Sequence, residues 1–131
     1  MKFFQYTQVI PKLGETVTGS SFLLGYGGKG ANQCVASKLL GCNTALVGKV
    51  GEDYFGDIFL EHLKQLGVNT DGVTKSPKCS TGVASITVDT GTGENQIIIV
   101  PDSDINRANQ QYMIFNTKVI VCQFEVRSIQ L

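Results

Sequence analysis

The stretch Gly25-Tyr26-Gly27-Gly28-Lys29-Gly30-Ala31-Asn32-Gln33 limits what this chain can fold into more than any other. Four glycines within six positions let the backbone take φ > 0 and let a ligand approach the main chain closely. A helical pattern follows at once. Val35, Leu39 and Leu40 share one face of a helix predicted over 31–40, and Gly41 stops it. A strand predicted over 17–24, polar at first and apolar at its end, precedes the loop. Such a junction presents helix N-terminal N–H groups to oxygen-rich or anionic ligands.

Three ligand readings of this loop are open on the residues alone. Gly25-x-Gly27-x-x-Gly30 matches the dinucleotide fingerprint, and Glu52 and Asp53 follow about 20 residues later. That fingerprint wants a buried parallel strand before it, whereas Thr16-Val17-Thr18-Gly19-Ser20-Ser21 is half polar and suits an edge or lid strand. A phosphate-binding P-loop fails directly, because Lys29 is followed by Gly30 rather than by Ser or Thr. The third reading is a grip on a polyhydroxylated small molecule. Glycine N–H groups, the Lys29 ammonium and the Asn32 amide supply donors, and the Asn32 carbonyl supplies an acceptor. A plain turn with an exposed lysine needs only one or two of these glycines.

Farther along, 44–50 reads as a strand rich in β-formers. Asp53 then reads as the N-cap of a helix whose stripe is Phe55, Ile58, Phe59, Leu63 and Leu66, ending at Gly67. Lys49, Glu52 and Asp53 are assigned to a strand-end turn and helix cap rather than to active-site charges. His62, beside Glu61 and Lys64, is assigned to an exposed helix face. Strands over 82–88 and 96–100, with a turn-rich link between them, predict a hairpin. A helix is predicted over 106–115. The apolar run 118–124 predicts a strand buried on both faces of a parallel sheet. Glu125 stands at its carboxyl end, where open α/β sheets place ligands. Together the elements predict one α/β layered domain with a small β extension.

Composition narrows the function classes. A formal net charge of zero gives no support for nucleic-acid or membrane-surface binding. No apolar run approaches the ~20 residues of a membrane span, and the start lacks an apolar signal core, so a cytoplasmic location is expected, with the nucleus as the alternative. Cys34, Cys42, Cys79 and Cys122 show no Cys-x-x-Cys spacing and read as buried free thiols; with His62 as the only histidine, no metal site is expected.

Several motifs in order resemble the ribokinase-like sugar-kinase family, the PfkB-type carbohydrate kinases. The central ones are Gly27-Gly28-Lys29-Gly30-Ala31-Asn32-Gln33 and Val47-Gly48-Lys49-Val50-Gly51-Glu52-Asp53-Tyr54-Phe55-Gly56. Pro11-Lys12-Leu13-Gly14-Glu15-Thr16, Leu66-Gly67-Val68, Thr81-Gly82-Val83-Ala84 and Cys122-Gln123-Phe124-Glu125 support them. The resemblance implies part of a three-layer αβα, Rossmann-like sheet with a small β lid formed by about 15–24 and 81–100. It implies ATP-dependent phosphorylation of D-ribose to ribose 5-phosphate, with Mg²⁺ and a monovalent cation, K⁺, as cofactors. Fructokinase and nucleoside-kinase activities are the alternatives within the family. It implies that Gly28, Lys29, Gly30, Ala31, Asn32 and Glu125 bind the sugar, and that the lid makes dimer contacts, with a second copy or with a longer relative.

The sequence also departs from that family. Members carry a later Gly-Ala-Gly-Asp motif whose aspartate is the general base, and the 131 residues contain no such motif. The family's ATP-binding and cation-binding segments are expected beyond residue 131. Lys2 falls about where the family has an aspartate that holds two sugar hydroxyls, and Pro101-Asp102-Ser103-Asp104 stands in place of a Gly-Ala-Asn run. The expectation is a single truncated sugar-kinase domain over 1–131, with no catalytic base of its own and no turnover alone. A non-catalytic sugar-binding or dimerising fragment is the alternative, and a dinucleotide-binding domain a further one.

Overall fold

The computed structural model describes residues 1–101 and 117–123. The elements in chain order are β1 (Lys2–Thr7), β2 (Ser21–Gly25), α1 (Lys29–Leu39), β3 (Ala45–Gly51), α2 (Tyr54–Gln65), β4 (Asn69–Ser76), β5 (Val83–Asp89) and β6 (Asn95–Val100). They divide into two compact units. One holds Met1–Tyr26 with Gly82–Pro101; the other holds Gly27–Thr81 with the described residues 117–123.

The first unit is a four-stranded sheet in the order β2-β1-β5-β6. β1 pairs antiparallel with β2 and parallel with β5, and β5 and β6 form the predicted hairpin. The hairpin turn is fixed by Asp89, whose Oδ1 accepts from the N–H groups of Gly91 (2.7 Å) and Thr92 (3.0 Å). Register places Leu23, Phe4, Ile86 and Ile97 in one cross-strand row, and Ile86 is buried there. Among the described residues the outer strands pair with no further strand, and Phe22, Leu23, Leu24 and Ile97 to Val100 are each more than half exposed.

The second unit is a βαβ arrangement. β3 and β4 pair in parallel, and α2 connects them. Phe59 and Leu63 on one face of α2 are buried, as are Val50 of β3 and Val68 just before β4. Both helices end in the same way. Beyond α2, Gly67 takes φ 76° while its N–H reaches Lys64 O and the Val68 N–H reaches Leu63 O. Beyond α1, Gly41 takes φ 92° while its N–H reaches Lys38 O and the Cys42 N–H reaches Ser37 O. These are Schellman closures, and they explain why the glycine stop signals worked.

The structure corrects several expectations. The strand expected over 17–24 is Ser21–Gly25, because the ladder on β1 runs out at Tyr6 and Ser21. β1 and β4 are additional strands, and both draw their identity from their partners. The apolar run forms no strand over 118–123; Val119, Ile120 and Val121 are 77%, 51% and 66% exposed, and no described strand pairs with them. Apolar character supplies β-propensity, but a ladder needs a neighbour. The end of that run and the helix predicted over 106–115 lie outside the described residues. The cysteines are free, but Cys42 is exposed and Cys34, Cys79 and Cys122 are half-buried. Cys42 follows the exposed pair Leu39 and Leu40, whose apolar character did not translate into burial. His62 is half-buried rather than exposed.

Candidate functional site

The glycine loop meets α1 at Gly28, which caps the helix with φ 100° and ψ 127°. A Cβ there would meet nothing closer than Ala31 Cβ at 3.9 Å, so glycine is required by the backbone angle and not by space. The Asn32 N–H donates to Gly28 O at 2.9 Å and closes the first turn. No side chain caps this helix, and its first turn carries no acidic residue. The N–H groups of Lys29, Gly30 and Ala31 have no partner within the helix, and the positive end of the helix dipole adds to the Lys29 charge. That field suits electron-rich oxygens.

Burial separates the five predicted loop residues. Ala31 is buried and anchors the helix start; Gly28, Lys29 and Asn32 are exposed; Gly30 is half-buried. The structure therefore gathers Gly28 to Asn32 on one turn, with the polar members facing outward. Gly25 has a different role: a Cβ there would come 3.0 Å from Phe4 Cε2, within the first unit. Glu125 lies outside the described residues, and the strand on which its placement rested is not formed over 118–123. Gln123 is described. Its Nε2 donates to Gln33 Oε1, across 90 positions of sequence.

A second constellation explains the Gly51-to-Gly56 motif. Asp53 is the N-cap of α2, and its Oδ1 accepts from the Gly56 N–H at 2.8 Å. Thr81 donates its N–H to Asp53 Oδ2 at 2.7 Å and its hydroxyl to Oδ1 at 2.8 Å. The same hydroxyl accepts from the Gly51 N–H at 2.9 Å. Burial pushes the Asp53 carboxyl up, but the hydrogen bonds from Thr81, Gly56 and Phe55 outweigh it and hold the group below its ordinary value. Both glycines are sterically necessary. A Cβ on Gly51 would sit 2.5 Å from Asp53 Oδ2 and from Thr81 N, and one on Gly56 would overlap Gly51 O. The predicted strand-end turn and helix cap is what forms here. Thr81, 28 residues away, is the member that local sequence signals missed.

The sequence profile of pfkB family carbohydrate kinases matches residues 1–124. The chain is 40% identical to ribokinase of Mus musculus over 125 residues, which cover 92% of this chain and 38% of that protein. It is 38% identical to deoxyribokinase of Salmonella typhi over 128 residues, covering 93% and 41%. The solved structure of Arabidopsis thaliana ribokinase complexed with ribose and ATP superposes with a TM-score of 0.70 at 34% identity, covering 78% of this chain and 33% of that one. The chain thus spans about two fifths of the length of these curated relatives. No helix among the described residues is long and apolar enough to cross a membrane.

Proposed function

The chain belongs to the pfkB family of carbohydrate kinases, and on that premise we propose that it carries the sugar-holding side of a ribokinase-type site. Its structure is part of the α/β ribokinase-like fold. The single observation that carries the reading is the start of α1, capped by Gly28 with no side-chain cap, which sets Lys29 and Asn32 on one exposed turn. Gly28, Lys29 and Gly30 offer donors to sugar hydroxyls, and Asn32 offers both a donor and an acceptor. Ala31 keeps the turn seated. Glu125 is assigned as the carboxylate that accepts from further hydroxyls.

The reaction proposed for the whole site is transfer of the γ-phosphoryl of ATP to the 5-hydroxyl of D-ribose. ATP as donor is supported by the ATP in the Arabidopsis structure. Mg²⁺ and K⁺ belong to the proposal by family alone: the described residues hold no group of three His, Cys, Asp or Glu that fits a metal. No step is derived through either ion. What these residues do is bind and orient the sugar, since phosphoryl transfer depends on positioning and on stabilising developing charge. None of them is assigned as the general base, so the 131-residue chain is expected to bind ribose without turning it over. We place it in the cytoplasm or nucleus.

A second reading has its own observation. The exposed apolar residues of β2 and β6 form open edges of the four-stranded sheet. A non-catalytic role, as a sugar-binding chain that pairs through this sheet with itself or with a longer family member, fits them. Calorimetric titration with D-ribose, D-fructose and adenosine, together with ATP turnover, tests the first reading. Ribose binding without turnover is the expected result; binding of fructose or adenosine alone would replace the sugar assignment.

A further inference from the structure

We propose that Gln123 is a positioning residue for the sugar-binding turn, acting through Gln33. The inference rests on the ribokinase-type reading of Gly28 to Asn32. The start of α1 has no side-chain cap, and its cap residue is a glycine in a backbone region that only glycine occupies freely. Helix ends fray, and a contact from outside the helix steadies the first turns. Gln123 supplies such a hold. Its Nε2 donates to Gln33 Oε1, and its Cγ lies 3.9 Å from the place a Gly30 Cβ would occupy, an ordinary van der Waals contact.

Gly30 and Gln33 are three residues apart and therefore share a face of the helix. The Gln123 side chain lies over that face, its Cγ near Gly30 and its amide on Gln33. Lys29 and Gln33 are four apart and neighbour each other in the same way. Asn32 immediately precedes Gln33. The clamp thus spans the turn that presents Lys29 and Asn32, and it fixes their direction without touching the sugar.

The full chain carrying Gln33→Leu, Gln123→Leu or both tests this, read by amide hydrogen exchange of Asn32, whose N–H closes the first turn, and by titration with D-ribose. A hydrogen bond of this kind contributes modestly, so each single variant is expected to raise the ribose Kd about 3–10-fold. Each should also speed exchange several-fold, and the double variant should be no worse than either single one. Gln33→Glu keeps an acceptor opposite the Gln123 amide and should restore both readouts, which a general packing defect would not allow. Unchanged exchange, or strictly additive losses, would overturn the proposal. If the unsubstituted chain binds no ribose, the sugar reading falls, and the exchange pattern alone decides the clamp by the same criteria.

Discussion

Thr81 grips Asp53 with two groups, its N–H at 2.7 Å from Oδ2 and its hydroxyl at 2.8 Å from Oδ1. One carboxylate thereby caps α2, through Gly56, and ties the helix start to the last residue of the segment Gly27–Thr81. Asp53→Ala removes the cap and leaves the N–H of Thr81 without its acceptor. A loss of about 1–3 kcal/mol is expected, read as a lower urea midpoint. A change within 0.3 kcal/mol, roughly the scale of a neutral surface substitution, would show that the grip contributes nothing.

The same carboxylate makes stability depend on pH. The hydrogen bonds hold Asp53 below its ordinary value in the folded chain. Its contribution is therefore complete above the unfolded-state pKa of about 3.9 and is lost as pH falls through the lower folded-state value. Urea midpoints measured from pH 6 downward should fall through this window. Asp53→Asn should flatten that part of the curve; an identical slope in the variant would assign the acid sensitivity elsewhere.

Gly56 tests steric necessity in isolation. A Cβ at this position would overlap Gly51 O and stand 3.0 Å from Thr81 Oγ1. Gly56→Ala gains helix propensity of about 1 kcal/mol, yet the backbone clash should outweigh it and lower the thermal midpoint. A rise in the midpoint would mean that the α2 start has more room than the structure shows.

How much of this was legible depended on distance along the chain. α1 and α2 announced themselves because their stops, Gly41 and Gly67, act locally through Schellman closures. The β5–β6 hairpin was equally local. β4 was missed because Asn69-Thr70-Asp71-Gly72-Val73-Thr74-Lys75-Ser76 is mostly polar, and only pairing with β3 makes it a strand. The site behaved alike. The loop stood out by composition, but nothing local singled out Gly28 as the positive-φ cap, and the partners Thr81 and Gln123 come from 28 and 90 positions away.

Gly28→Ala separates backbone geometry from side-chain chemistry at the loop. With φ at 100°, any L side chain is strained by about 1–3 kcal/mol, although space is available. The variant should bind ribose at least 10-fold more weakly while α2 and its cap remain intact by amide exchange. Lys29→Ala should weaken binding comparably while α1 stays folded by the same measurement. Unaltered ribose affinity in both variants would move the sugar site away from this turn.

The most direct measurement is the set of backbone amide shifts of Gly28, Lys29, Gly30, Ala31 and Asn32 during titration with D-ribose, with NAD as the comparison ligand. Saturable shifts at these five amides with ribose, and none with NAD, are the predicted result. Shifts with NAD alone would contradict the sugar-holding assignment and return the loop to its dinucleotide reading.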